Sequence, residues 1–172
     1  MAGALPTTGP MATTKTPLAR VLVVDDDADT REVLGVFLAH QGYTPALAAG
    51  GRDALALAVS QAPDVVLLDV MMPDVNGLDV LGRLRVLHPS LPVIMTTASA
   101  DPDVAREALR LGAFRYLRKP IDLDGLDRVI EEALSQPGRS SPPSSALTHG
   151  EIMGLLSDFG SRARRDEPPP RT

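Results

Sequence analysis

Between residues 20 and 135, short apolar runs alternate with longer amphipathic ones, and the alternation repeats five times. The short runs occupy residues 20–24, 43–48, 65–68, 93–96 and 114–118. Val, Ile and Leu crowd the first, third and fourth without polar interruption, as strands buried on both faces require, while the second and fifth are weaker. Between them the apolar residues follow a helical period: Val33, Leu34, Phe37 and Leu38; Ala54, Leu55, Leu57 and Ala58; Leu78, Leu81, Leu84 and Leu87; Val104, Ala108 and Leu111. A fifth set, Leu123, Leu126, Val129, Ile130, Ala133 and Leu134, keeps the rhythm best. Asp101 before Pro102 reads as an N-cap followed by proline at the first helical position, Asp122 as a second N-cap, and Gly42 and Gly112 as helix stops. Five strand–helix units predict an α/β domain, a five-stranded parallel sheet with helices on both faces.

Proline usage bounds that domain. Nine of the sixteen prolines fall in residues 1–19 and 136–172, so the ends are expected not to fold alone and a second full domain is not expected. The division predicted is an amino-terminal tail over 1–19, a domain over 20–135, a flexible Pro/Ser linker over 136–147, an amphipathic helix over 148–160 and a further tail over 161–172. Met11 is as reasonable a start as Met1, because nothing before it carries a periodic pattern. A chain without cysteine has no disulfides, thiol catalysis or cysteine-based zinc sites. A net charge of −5 argues against a nucleic-acid surface. No apolar run approaches the roughly 20 residues that cross a bilayer, and the amino end has no signal-peptide core, so a cytoplasmic protein without membrane contact is expected.

In open parallel sheets, ligands collect outside the carboxyl ends of the strands, near the point where strand order reverses. The first strand runs into Asp25, Asp26 and Asp27, the third into Asp69, the fourth into Thr96 and Thr97, and the fifth into Arg118 and Lys119 before Pro120. In the flavodoxin-like order 2-1-3-4-5 the first and third strands are neighbours, and Asp25, Asp26 and Asp69 converge. Three carboxylates repel one another unless a cation joins them, and with no cysteine or histidine at these strand ends the fitting ion is hard, Mg2+ before Mn2+ or Ca2+. A carboxylate beside such an ion, with a lysine on one side and a hydroxyl on the other, is a nucleophile suited to a phosphoryl group. Taken singly these residues have plainer readings: an aspartate run as a solvated turn or N-cap, Thr97 as a strand residue, Lys119 as a surface lysine. Their common position on one rim is what favours the chemistry.

The segments VLVVDDD, VVLLDVMMPDVNG, VIMTTASA and YLRKP resemble, in order, the four motifs of response-regulator receiver domains, the phospho-accepting half of bacterial two-component signalling. The resemblance covers residues 20 to about 134. It implies that Asp69 is the phosphoacceptor, that Asp26 and Asp69 ligate Mg2+ directly, that Asp25 assists through water, and that the Met71 main-chain carbonyl is a further ligand. It implies that Thr97 and Lys119 contact the phosphoryl oxygens, that the Lys119–Pro120 bond is cis, and that Tyr116 is an aromatic switch turning inward when Thr97 moves toward the phosphate. On the residues alone, Tyr116 is equally an ordinary, partly buried sheet residue. The donor implied is a phosphohistidine on a sensor histidine kinase or phosphotransfer protein. The output is a downstream protein contact through the face of the fourth helix, fifth strand and fifth helix, with phosphorylation-dependent dimerisation left open. Such a module modifies itself and is not a turnover enzyme.

In the tail, Thr148 and Glu151 have capping-box spacing, and Ile152, Leu155, Leu156 and Phe159 fall at i, i+3, i+4 and i+7 before Gly160. One such helix cannot bury its own apolar face and is expected to dock on the domain or in a partner's groove, or to form only transiently. With twelve residues after Gly160 and no recognition helix, DNA binding is not expected and the domain is read as a stand-alone receiver. The nearest rival is a metal-dependent phosphohydrolase of the haloacid-dehalogenase type. That family places its nucleophile after the first strand, and wants Thr or Val where this sequence, counted from Asp25, has Asp29. A flavodoxin-like cofactor binder is disfavoured by the acidic rim and by the lack of a Gly- and Ser/Thr-rich phosphate loop after the first strand.

Overall fold

The structure, a computed structural model, describes residues 19–136 together with Gly150 and Gly154. Strand β1 (Arg20–Val24) is followed by helix α1 (Ala28–His40), β2 (Thr44–Ala48), α2 (Gly51–Gln61), β3 (Val65–Asp69), α3 (Gly77–Leu87), β4 (Val93–Thr97), α4 (Pro102–Arg110), β5 (Arg115–Arg118) and α5 (Leu123–Leu134). All four strand pairings are parallel and the order is β2-β1-β3-β4-β5, as the sequence predicts. β3 and β4 each extend one residue beyond the apolar run, so Asp69 and Thr97 are the last residues of their strands.

Alternation along each strand divides the core in two. Val21 and Val23 point with Val65, Leu67 and Ile94 into a layer closed by Leu34 and Leu38 of α1 and Leu126, Ile130 and Ala133 of α5. Leu22 and Val24 point with Val66, Leu68 and Met95 into the opposite layer, closed by α2, α3 and α4 through residues such as Leu55, Leu81, Leu84 and Ala108. β3 and β4 are buried along their whole length because both faces are covered, whereas β2 and β5 are edges with mixed burial. Pro45, which cannot donate to a ladder, sits on the β2 edge. The Tyr43 hydroxyl donates to Asp127 (3.0 Å) and fastens α5 beside the entry to β2.

The helix ends follow local chemistry. Asp101 and Asp122 accept from the main-chain N–H of Asp103 and Gly125, Asp27 caps α1, and Asn76 caps α3. Gly42 (φ 90°) and Gly112 (φ 94°) take the left-handed conformation that stops α1 and α4. Ala62 ends α2 in the same region (φ 44°), a strain the sequence does not announce. Val33, counted with the buried face of α1, is exposed; Leu34, Gly35 and Leu38 carry that contact, with Gly35 facing the Leu47 side chain. The helix predicted over 148–160 lies outside the described residues except for Gly150 and Gly154, whose backbone is helical. Among the described residues no helix is long and apolar enough to cross a membrane.

Candidate functional site

The strand order brings the ends of β1 and β3 side by side, with β4 and β5 beyond. Asp25 and Asp69 are buried, Asp26 is exposed at the rim, and one carboxylate oxygen from each lies within 4.8 Å of the others. Asp25 is held in place at three points. Its Oδ1 accepts from the Asp27 N–H (2.9 Å), its own N–H donates to the Ala48 carbonyl (3.2 Å), and its carbonyl accepts from Arg31 Nη1 (2.6 Å). Asp69 Oδ1 accepts from the Met71 N–H at 3.3 Å, and the Met71 side chain is exposed at the mouth. The Val70 N–H reaches the Thr96 carbonyl and the Gly77 N–H the Val70 carbonyl, both at 2.9 Å, so the loop after Asp69 folds back across the strand end.

Lys119 enters from the fifth strand end. Its N–H donates to the Thr97 carbonyl (2.8 Å), its bond to Pro120 is cis, and its Nζ lies 2.6 Å from Asp25 Oδ2 and 3.3 Å from Asp69 Oδ2. Thr97 is fully buried, and its Oγ1 accepts from the Ser99 N–H at 3.1 Å. Tyr116 packs against the α2–α4 layer, and its buried hydroxyl has no hydrogen-bond partner among the described residues.

The electrostatics follow from burial and from counting charges. Three carboxylates face one ammonium. Burial pushes the Asp69 carboxyl above the usual carboxylate range; Lys119 opposes the shift and Asp25 adds to it. Burial by itself would lower the Lys119 pKa, but its hydrogen bond to Asp25 and the charges of Asp69 and Asp25 outweigh that and raise it. Lys119 is therefore firmly charged, and the cluster still carries an excess of negative charge around Asp69. Oxygen donors with surplus negative charge and an open side at Asp26 suit a hard divalent cation, so the residues present fit the ion that the sequence implies.

Every site residue read from the sequence thus lies on this rim or, in the case of Tyr116, on the strand leading to it. Two further residues were not singled out. Arg31 lies one turn into α1 and grips the Asp25 peptide; only its spacing after the aspartate run could have drawn attention to it. Gly77 is required by close approach, since a Cβ there would overlap the Asp69 carbonyl oxygen and lie 2.8 Å from Val70 Cα.

Comparison with known proteins bears on the whole domain. Residues 21–131 match the family described as the response regulator receiver domain. Among curated proteins, the chain is 43% identical over 119 residues to the regulatory protein AtoC of Escherichia coli. It is 38% identical over 138 residues to the DNA-binding transcriptional regulator NtrC of Salmonella typhimurium. These matches take in 69% and 80% of this chain but only 26% and 29% of those proteins, so the chain spans under a third of the length of the relatives it matches. Among solved structures, a CheY-like receiver domain protein from Methanospirillum hungatei is similar at a TM-score of 0.66 and 31% identity, with 68% of this chain and 94% of that one covered. The Vibrio cholerae chemotaxis protein CheY4 is similar at 0.65 and 32%, with 68% and 99% covered.

Proposed function

The chain belongs to the response regulator receiver domain family, and from that premise we propose that Asp69 accepts a phosphoryl group from a phosphohistidine on a sensor histidine kinase or phosphotransfer protein. The observation that carries the proposal is the meeting of Asp25, Asp69 and Lys119 at the carboxyl ends of three strands, with Asp26 open to solvent beside them. Receivers are signalling modules. That this one has no turnover activity and works in the cytoplasm is part of the same proposal.

Asp25, Asp26 and Asp69, with the Met71 carbonyl, would hold Mg2+. Bound there, the ion would cancel the excess negative charge and favour an incoming anionic phosphoryl group. Asp69 supplies the nucleophilic carboxylate oxygen. As the O–P bond forms, the P–N bond of the donor breaks, and its electron pair stays on the imidazole nitrogen, which takes a proton. Lys119, 3.3 Å from Asp69 and firmly protonated, meets the charge on the transferring oxygens. The Thr97 Oγ1 accepts one hydrogen bond from the backbone and keeps its own proton to donate to a phosphoryl oxygen.

The unpartnered, buried Tyr116 hydroxyl supports a switch at that position. An unmet hydroxyl of this kind costs on the order of 1–3 kcal/mol, so the inward ring is held against a penalty that an outward position relieves. A phosphoryl contact at Thr97, two strand pairs away, biases that balance and with it the α4–β5–α5 face. Output passes through that face to a protein partner or a second copy of the chain. The acidic rim and net charge favour protein contact over nucleic acid as the role of these residues. Incubation with acetyl phosphate and Mg2+ tests the assignment: one phosphoryl group is expected on the native chain and none on Asp69→Asn. Labelling that survives the substitution, or that needs no divalent cation, overturns it.

A further inference from the structure

Helices α3 and α4 enclose an open groove of about 520 Å3 whose floor and walls include Leu78, Gly82, Val86 and Leu111. Val86 stands at its wall, 58% exposed. Gly82 is harder to explain by the domain alone. It sits inside α3, where glycine is unfavourable for a helix, yet a Cβ there would meet nothing within 4 Å. Nothing in the domain's own packing requires a glycine at that point, whereas a backbone laid closely into the groove would.

We propose that the groove receives the chain's own 152–159 segment, with Ile152, Leu155, Leu156 and Phe159 as the inserted side chains. Spaced at i, i+3, i+4 and i+7, they have the pattern by which an amphipathic helix lies in an apolar groove. Gly150 and Gly154 fall on the opposite side of that repeat, are exposed, and have open space around them, which leaves the apolar side for contact.

Reach and position allow it. In parallel strand–helix units every helix runs back toward the amino ends of the strands, so α5 finishes at the same pole as Val86 of α3 and Leu111 at the end of α4. Residues 137–151 extend to about 50 Å, more than the roughly 35 Å width of a domain this size. Because α3 and α4 each begin just after the loops that follow Asp69 and Thr97, an occupant between them is placed to be coupled to those loops.

Docking needs neither metal nor phosphoryl group, so it is read on the full chain without a phosphodonor, and its failure would leave the phosphoacceptor assignment untouched. A helix this short is marginal by itself, so hydrogen exchange across 152–159 reports the contact; slowing by about tenfold or more over the unstructured rate is expected. Gly82→Leu fills the groove with a side chain that enters open space. It is expected to return 152–159 to the unstructured rate while β1 and β3 keep their protection, and Leu156→Asp is expected to do the same from the other side. The proposal is overturned by an unprotected segment in the native chain, or by protection that Gly82→Leu leaves intact. Protection that rises with protein concentration also overturns it, by making a second copy the occupant.

Discussion

Replacing Lys119 with methionine tests how strongly the acidic cluster depends on its resident cation. The Lys119 side chain is 21% exposed, and its ammonium lies between carboxylates whose side chains are only 2% and 4% exposed, at 2.6 and 3.3 Å. At an effective dielectric of about 20, a pair of charges 3 Å apart attracts by roughly 5 kcal/mol, most of it offset by the cost of burying the ions. Removing one partner exposes that offset. Losses of about 3–5 kcal/mol are usual when a buried charge is left unpaired, and because water reaches Lys119 and Asp26 the lower end, about 3 kcal/mol, is expected here. In urea unfolding at neutral pH with divalent cations chelated, that corresponds to a midpoint lower by roughly 2 M at an unchanged slope. Added Mg2+ should recover part of the loss, and so should Asp69→Asn placed in the same chain, which removes the carboxylate that repels Asp25. A loss below about 0.5 kcal/mol, or one that neither Mg2+ nor the second substitution diminishes, would refute the picture of a rim short of positive charge.

Three other outcomes follow from the same geometry. Because the folded protein raises the Asp69 pKa above its unfolded value, it binds that proton more tightly than the unfolded chain does; without metal, stability attributable to Asp69 falls as pH rises from the ordinary carboxylate value through the raised one. Above that window the penalty is complete, so Asp69→Asn should be more stable than the native chain at neutral pH, with the difference shrinking in acid, as denaturant titrations across pH would read. Gly77→Ala forces a Cβ into the Asp69 carbonyl and should cost about 3 kcal/mol or more while displacing Asp69, so that thermal stability and acetyl phosphate labelling fall together. Ala62→Gly relieves the left-handed strain at the end of α2 and should add about 1 kcal/mol, or roughly 4 °C in Tm by calorimetry.

The layout of the site was legible because charged residues directly after buried strands have few structural uses. Asp25 and Asp69 stand out against Val24 and Leu68, and a parallel sheet aligns those ends with that of β5, where Lys119 follows Arg118. The five-unit pattern likewise carried the parallel sheet, while its order came from the flavodoxin-like arrangement, in which the acidic strand ends meet. What stayed hidden depends on distances that periodicity does not encode. Lys119 lies nearer to Asp25 than to Asp69, and Asp25 is buried while its neighbour Asp26 is exposed. Val33 has the right spacing to be buried in α1, yet the face that meets the sheet is that of Leu34, Gly35 and Leu38. Gly77 lay within a recognised segment, but its necessity arises from the loop's close return onto Asp69, a contact made only in the folded chain.

Identifying which carboxylate carries the phosphoryl group tests the central claim most directly. Labelled with acetyl phosphate in Mg2+ and reduced with borohydride, an aspartyl phosphate becomes homoserine, and peptide mass spectrometry then locates the altered residue. The account predicts a single conversion at Asp69 and none at the neighbouring aspartates. Conversion at Asp25 or Asp26 would contradict it and return the chain to the chemistry of phosphohydrolases, whose nucleophile follows the first strand.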